Sequence, residues 1–453
     1  MKQTPLKKSA QNIPSSLLPL FVFLSAIALL STVQLIDKII APPYGAYFQL
    51  NSSDAIPHTL PIAHLRTTPL ESLWYLHKFP PLFDGLRAFI AQWFPCASAE
   101  NLSVYVDQVL YVVWAIFFAG MATLIFVWLR RLSSPVFAFA ATFVWILHPA
   151  PIFFARFLDT TLMSSFGVFW FFYELWRLAR GEGSVRRLAF ASVFLFYVRT
   201  VFQWYFFPLM LVVLVMMKVP RRHIMRFILI SGICVAPYLI KQYAVFGTIS
   251  SSTFDGYHKC GIIWYYPSNR ELVHLYQQAP VRYPSDADYY SAGDAENSRR
   301  QHADSILYGK IFMRQLIAEP GESFSQIMKS LKMNARDYWR PTADFGRGAI
   351  VRFLFWIKPY NKIFSGASYI ILLLVSALMW YVYSVKQHAL RWRSIIASAL
   401  PFTYIILITH LCNRYEWTEA LRMKFLLEPL YFLFIAGAVY KGYYLLRRGF
   451  FKG

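Results

Sequence analysis

The stretch Gln108-Val109-Leu110-Tyr111-Val112-Val113-Trp114-Ala115-Ile116-Phe117-Phe118-Ala119-Gly120-Met121-Ala122-Thr123-Leu124-Ile125-Phe126-Val127-Trp128-Leu129 runs 22 residues without a charge and closes on Arg130-Arg131. As a helix it is about 33 Å long, enough to cross a bilayer hydrocarbon core of about 30 Å. Its basic end marks the cytoplasmic side, because translocating Lys and Arg is disfavoured.

Working outward, comparable stretches recur at about 17–36, 135–155, 160–178, 187–217, 224–246, 366–385, 394–411 and 425–446. With 57% hydrophobic and 19% aromatic residues and a mean hydropathy of +0.40, the chain reads as an all-α polytopic membrane protein. Lys2, Lys7 and Lys8 precede the first stretch as in a signal peptide. No small-residue cleavage pattern follows, so a retained first helix is expected.

The short basic clusters sort the loops by side. Lys2/Lys7/Lys8, Arg130/Arg131, Arg177/Arg180/Arg186/Arg187, Lys218/Arg221/Arg222/Arg226, Lys386/Arg391/Arg393 and Lys441/Arg447/Arg448/Lys452 hold 20 of the 45 basic residues but only two of the 23 acids, Glu174 and Glu182. The net charge of +22 is therefore mainly an orientation signal, with no need for a nucleic-acid partner. Basic clusters flank 188–217 on both sides, so the chain there crosses twice, as two short helices turning at Arg199-Thr200. The expected total is about ten passes, both termini cytoplasmic.

Three parts follow: an N-terminal transmembrane module (1–246) with a first outer loop at 41–107, an outer loop subdomain (247–364), and a C-terminal transmembrane module (365–453). Long outer loops between minimal cytoplasmic connections are where function is expected. Leu86, Phe89, Ile90 and Trp93 recur at helical spacing, so 84–94 reads as an amphipathic helix lying in the interface until Pro95 stops it. In the second outer loop, helices are expected at 302–317 and 321–339, either side of Glu319-Pro320-Gly321, giving a small α-rich subdomain. Four cysteines are no disulfide framework. A bridge among Cys96, Cys260 and Cys412 is open. The chain has no C-x-x-C, H-E-x-x-H, P-loop or G-x-G-x-x-G, which argues against zinc proteases, ATP-driven pumps and dinucleotide enzymes.

Several polar residues interrupt this apolar body. Asp54, in Leu50-Asn51-Ser52-Ser53-Asp54-Ala55, can take a proton from an acceptor hydroxyl or amine, or simply form a turn. Asp159, before Thr160-Thr161, fits an N-cap and could also orient an acceptor or, with Asp54, hold a divalent metal ion. Arg199 sits inside an apolar run, where a charge is costly and a phosphate would suit a guanidinium. His77 and Lys78 are directed by Pro80-Pro81 and could meet a donor phosphate or a leaving group. Arg422 and Lys424, just before the last apolar stretch, could grip a lipid phosphate or make ordinary headgroup contacts.

Taken in order, five segments resemble the GT-C class of membrane glycosyltransferases, the group of dolichyl-phosphate-mannose-protein mannosyltransferases and lipid A aminoarabinose transferases. Leu76-His77-Lys78-Phe79-Pro80-Pro81-Leu82-Phe83 looks like the H/K-x-P-P-L segment of that group's first loop, with Asp54 upstream. Val198-Arg199-Thr200 is similar to its turn between short helices. Pro237 to Thr248 resembles its outward-leading segment, with Lys241-Gln242 in place of Arg-Asn. Leu421 to Leu430 and Ala318-Glu319-Pro320-Gly321 resemble a late-helix segment and an outer helical pair.

The resemblance implies a polyprenyl-phosphate-linked sugar donor, a lipid, glycan or protein acceptor, and inverting transfer at the non-cytoplasmic face of a bacterial inner membrane. It maps the catalytic loop acid to Asp54, although Ala55 follows where the group often has a second acid, and Asp37 and Asp84 are alternatives. Two other readings predict different dependences. An O-antigen ligase or polymerase would rely on an outer-loop residue such as His258. A transporter or flippase of lipid-linked sugars would carry charges along a path within its spans.

Overall fold

The computed structural model describes residues 17–39, 52–56, 59–252, 299–340, 366–386, 392–412 and 417–450. Among them there is no strand. The helices are α1 (Leu18–Ile39), α2 (Ile62–Thr67), α3 (Pro69–Tyr75), α4 (Leu82–Ala91), α5 (Ala99–Leu132), α6 (Pro135–Ile146), α7 (Pro149–Phe154), α8 (Thr160–Ala179), α9 (Val185–Val198), α10 (Phe206–Met216), α11 (Arg221–Phe246), α12 (Arg299–Ala318), α13 (Pro320–Tyr338), α14 (Gly366–Lys386), α15 (Trp392–Cys412), α16 (Trp417–Phe425) and α17 (Glu428–Phe450). Within the described residues, Leu18–Leu35, Glu100–Leu132, Arg221–Phe246 and Glu428–Arg447 are each long and apolar enough to cross a membrane. Shorter apolar helices cover Pro135–Ile146, Phe206–Met216, Gly366–Tyr381 and Ala397–Leu411. The chain is an all-α membrane protein.

α5 is the central strut. Ser98 caps it by accepting from the Asn101 amide, Glu100 lies in its first turn, and Arg130 and Arg131 lie in its last, all signs that complement the helix dipole. It begins nine residues before the apolar run quoted above, so Glu100 and Asp107 are helical rather than part of the loop. Its buried Trp114, Phe118 and Phe126 pack against neighbouring helices. Lipid tails are as apolar as these side chains, so close packing and polar links, not escape from water, hold such helices together.

The expected single stretch at 135–155 is two helices. Pro149 cannot continue α6, and His148 caps α7 by accepting the Ala150 amide on Nδ1 at 3.0 Å. The two short helices expected at 188–217 are present as α9 and α10, with Arg199 as the C-cap of α9. α8 runs beside α5 in the same direction, with Phe117 against Phe166 and Trp128 against Tyr173. It meets α9 closely at Gly167, where a Cβ would come within 2.8 Å of the Phe194 ring and 2.9 Å of Leu195. α11 ends at Gly247, whose φ of 68° lets its amide turn back to the Tyr243 carbonyl.

In the first loop, Pro95 does separate α4 from α5, and α4 occupies residues 82–91 of the expected 84–94. Its inward face is mixed: Asp84 and Arg87 are buried together with the apolar Phe83, Ala88, Ile90 and Ala91, whereas Phe89, and Trp93 just past the helix end, are exposed. Such a helix suits a lipid boundary outside and a partly polar interior behind it. The pair α12 and α13 matches the expected helices to within three residues at each end, with Pro320 at the first position of α13. α13 docks on the C-terminal helices: Tyr338 and Tyr431 share a hydroxyl hydrogen bond of 2.9 Å, and the Gly366 amide donates to the Trp339 carbonyl at 2.7 Å.

Candidate functional site

Asp54 lies in a single helical turn, Ser53–Ala55, capped by the Ser52 hydroxyl. Its Oδ1 accepts from the Ile62 amide at 2.8 Å and from Arg87 Nη2 at 2.8 Å. The carboxylate is therefore held through one oxygen, while its side chain stays 33% exposed. Arg87 is fully buried and also donates to Asp84 Oδ1 at 2.7 Å, the Leu60 carbonyl at 2.7 Å and Ser53 Oγ at 3.2 Å. The Ser53 amide in turn donates to Asp107 Oδ1 at 3.1 Å, which fastens the loop to α5. Asp84 is sealed behind Arg87 at 2% exposure, so of these two loop acids Asp54 is the one open to an acceptor. Asp37 lies at the end of α1.

A second cluster forms at the N-terminus of α8. Asp159 caps the helix, with Oδ1 accepting the Thr161 amide at 2.8 Å and Oδ2 the Thr161 hydroxyl at 2.7 Å. Arg422 Nη2 lies 2.7 Å from the same Oδ2, and Arg422 Nε donates to Thr161 Oγ1 at 3.2 Å. Arg199 Nη1 donates to Thr160 Oγ1 at 3.1 Å and approaches Thr161 Oγ1 at 3.5 Å, and its Nη2 reaches Met423 Sδ at 3.5 Å. Three residues that the sequence places far apart thus meet at Thr161. Arg422 thus pairs with the Asp159 carboxylate and Arg199 with the threonine hydroxyls beside it, at a helix N-terminus whose partial charge is positive.

The two clusters stand at different depths. Ser165 Oγ lies 3.8 Å from Met121 Sδ. Counting about 1.5 Å per residue along two parallel helices from that contact, Asp159 lies about 12 Å further in than Asp107. Between them, Tyr111 is within electrostatic reach of both Asp107 and Arg156.

His77 and Lys78 are buried, not solvated. Lys241 Nζ donates to the Leu76 carbonyl at 2.7 Å and sits over the Tyr238 and Phe246 rings, and His77 packs on Phe246. The Ser252 hydroxyl donates to the Lys78 carbonyl. Gln203 Oε1 accepts from Ser250 Oγ at 3.0 Å and from the Ser251 amide at 2.8 Å. The end of α11 and the residues after it therefore join the His77-Lys78 segment to the Arg199 turn. Lys424 stands apart from Arg422: its Nζ donates to the Arg340 carbonyl at 2.8 Å, over the Tyr369 ring. His258 lies outside the described residues, as does Cys260, and Cys96 and Cys234 are free thiols. Among the described residues no three of His, Cys, Asp and Glu group closely enough to hold a metal ion.

Sequence reasoning passed over Arg87, Gln203 and the buried pair His148 and Glu428, whose Nε2 and Oε1 are 3.7 Å apart. Asp84 and Arg87, opposite charges three residues apart in an apolar-striped helix, were the available signal for the first. Comparison with protein-family models, with curated proteins and with solved structures finds no match to this chain.

Proposed function

We propose that the protein is an integral-membrane glycosyltransferase that moves a sugar from a polyprenyl-phosphate donor to a lipid, glycan or protein acceptor at the non-cytoplasmic face. The observation that carries this reading is the meeting of Arg199 and Arg422 at Thr161, below a loop that presents Asp54 held through one oxygen. The inner cluster suits a phosphate approaching from within the bilayer, because guanidinium forks match phosphate oxygens. Asp54 then acts as the base that takes the acceptor proton, while the two arginines balance the charge that develops on the leaving phosphate. Arg87 orients that base. The resemblance of the first loop to GT-C enzymes supports the same assignment, with about ten passes, cytoplasmic termini and a bacterial inner membrane as its setting.

The test is transfer from a radiolabelled polyprenyl-phosphate sugar in membranes containing the wild type, Asp54→Asn or Arg422→Gln. Loss of product in both variants at unchanged protein level supports the reading. Full transfer by Asp54→Asn overturns the base assignment, and no transfer by the wild type from any polyprenyl-phosphate sugar overturns the function.

A further inference from the structure

The α12–α13 pair carries an exposed pattern that neither the proposed reaction nor its packing uses. On α12, Met313 and Ile317 are 51% and 75% exposed one turn apart, beside exposed Lys310 and Arg314. On α13, Phe324 and Met328 are 64% and 49% exposed, also one turn apart. The face of α13 turned to the protein is mixed: Ser323, Ser330 and Asn334 are buried there with Tyr338, and Ile327 and Leu331 are half-buried beside them. At helical spacing, Phe324 and Met328 lie a little over a quarter-turn from that stripe, and Lys332 and Arg336 lie a further quarter-turn round. Protein, apolar and cationic sectors thus follow one another around α13.

We propose that the α12–α13 hairpin is an interfacial lipid-binding element whose occupant is the anionic phospholipid surface. In water, burying serines and exposing Phe324 and Ile317 would be the wrong way round. At a bilayer boundary it is the expected arrangement, because acyl chains take the apolar sector and headgroup phosphates take the cations. The position of the hairpin supplies the second argument. α13 ends on Tyr431 of α17, on the first residue of α14 through Gly366, and, through Asn334 Nδ2, on the His410 carbonyl of α15. It is therefore tethered at the ends of three C-terminal helices, where the membrane surface lies. In the first loop, Phe89 of α4 and Trp93 just past its end are likewise exposed. The inference does not depend on the reaction catalysed.

The experiment places the photoreactive residue p-benzoylphenylalanine at Phe324, and separately at Ile317, of the full-length protein in nanodiscs. The discs contain either phosphatidylcholine alone or an equal mixture with phosphatidylglycerol. After irradiation, mass spectrometry should find phospholipid adducts at both positions, with phosphatidylglycerol preferred in the mixture. Arg314→Gln and Lys332→Gln should each reduce that preference by up to about fivefold, the factor expected for one cation near an anionic surface. Adducts only to the same chain or to a second copy, or no lipid adduct at either position, overturn the proposal. Equal labelling of the two lipids overturns the choice of an anionic occupant.

Discussion

Arg87 Nη2 lies 2.8 Å from Asp54 Oδ1, a contact between a residue of α4 and an acid 33 positions earlier. The same guanidinium holds Asp84, the Leu60 carbonyl and Ser53, so the direction of the loop acid depends on one buried side chain.

Replacing that side chain should affect both folding and transfer. Arg87→Ala takes a partner from the buried Asp84 and should lower stability by about 3 kcal/mol, the usual cost of breaking a buried ion pair. Arg87→Lys keeps the charge but cannot reach four acceptors, so it should fold better and still lose most transfer. Apparent melting in detergent, read by size-exclusion chromatography, together with the transfer assay, checks both. Wild-type activity in Arg87→Lys would show that Asp54 needs no such orientation.

Asp159 combines a cap with an ion pair, and two substitutions separate them. Asp159→Asn retains a good capping side chain but leaves Arg422 facing a neutral group, whereas Asp159→Ala loses the cap as well. The alanine variant should be less stable than the asparagine variant by about 1 kcal/mol. Equal melting of the two would argue against a capping contribution.

Two glycines should respond in opposite directions. Gly167→Leu drives a side chain into Phe194 and Leu195 and should cost about 1–3 kcal/mol through overpacking. Gly232→Ala, with nothing within 4 Å of the added Cβ, should stabilise α11 by about 0.5–1 kcal/mol. Comparing both melting temperatures with wild type tests whether α8 and α9 are in direct contact.

In the turn after α8, hydrogen bonds from Arg180 and Arg131 hold the Glu182 carboxyl below the usual carboxylate range. A depressed folded-state pKa contributes stability that is present above the unfolded pKa and is lost as pH falls through the folded value. The difference in melting temperature between wild type and Glu182→Gln should therefore shrink on acidification below the ordinary carboxylate range. A difference that does not change with pH would mean that the contacts contribute without their charge.

How much of this was legible in the chain varies by element. The Arg199 turn, the Pro320 start of α13 and the separation of α4 from α5 could be read locally, because charge placement and proline act within a few residues. The break at His148-Pro149 could have been read from the same rule and was missed inside a long apolar stretch. Asp159 as a cap was legible in Asp-Thr-Thr, but its partner Arg422 was not.

By itself, the sequence determined that the chain is helical, that it belongs in a membrane, and which charges would be costly to bury, since hydropathy and helix termini are properties of short segments. Only the tertiary structure decided that Arg422 meets Asp159 across 263 positions, that Lys241 supports Leu76, and that Arg87 turns inward to hold Asp54. Those choices depend on which helix faces pack together. In a bilayer, where lipid is as apolar as the helix surfaces, that pairing is set by close fit and polar links that no local pattern encodes.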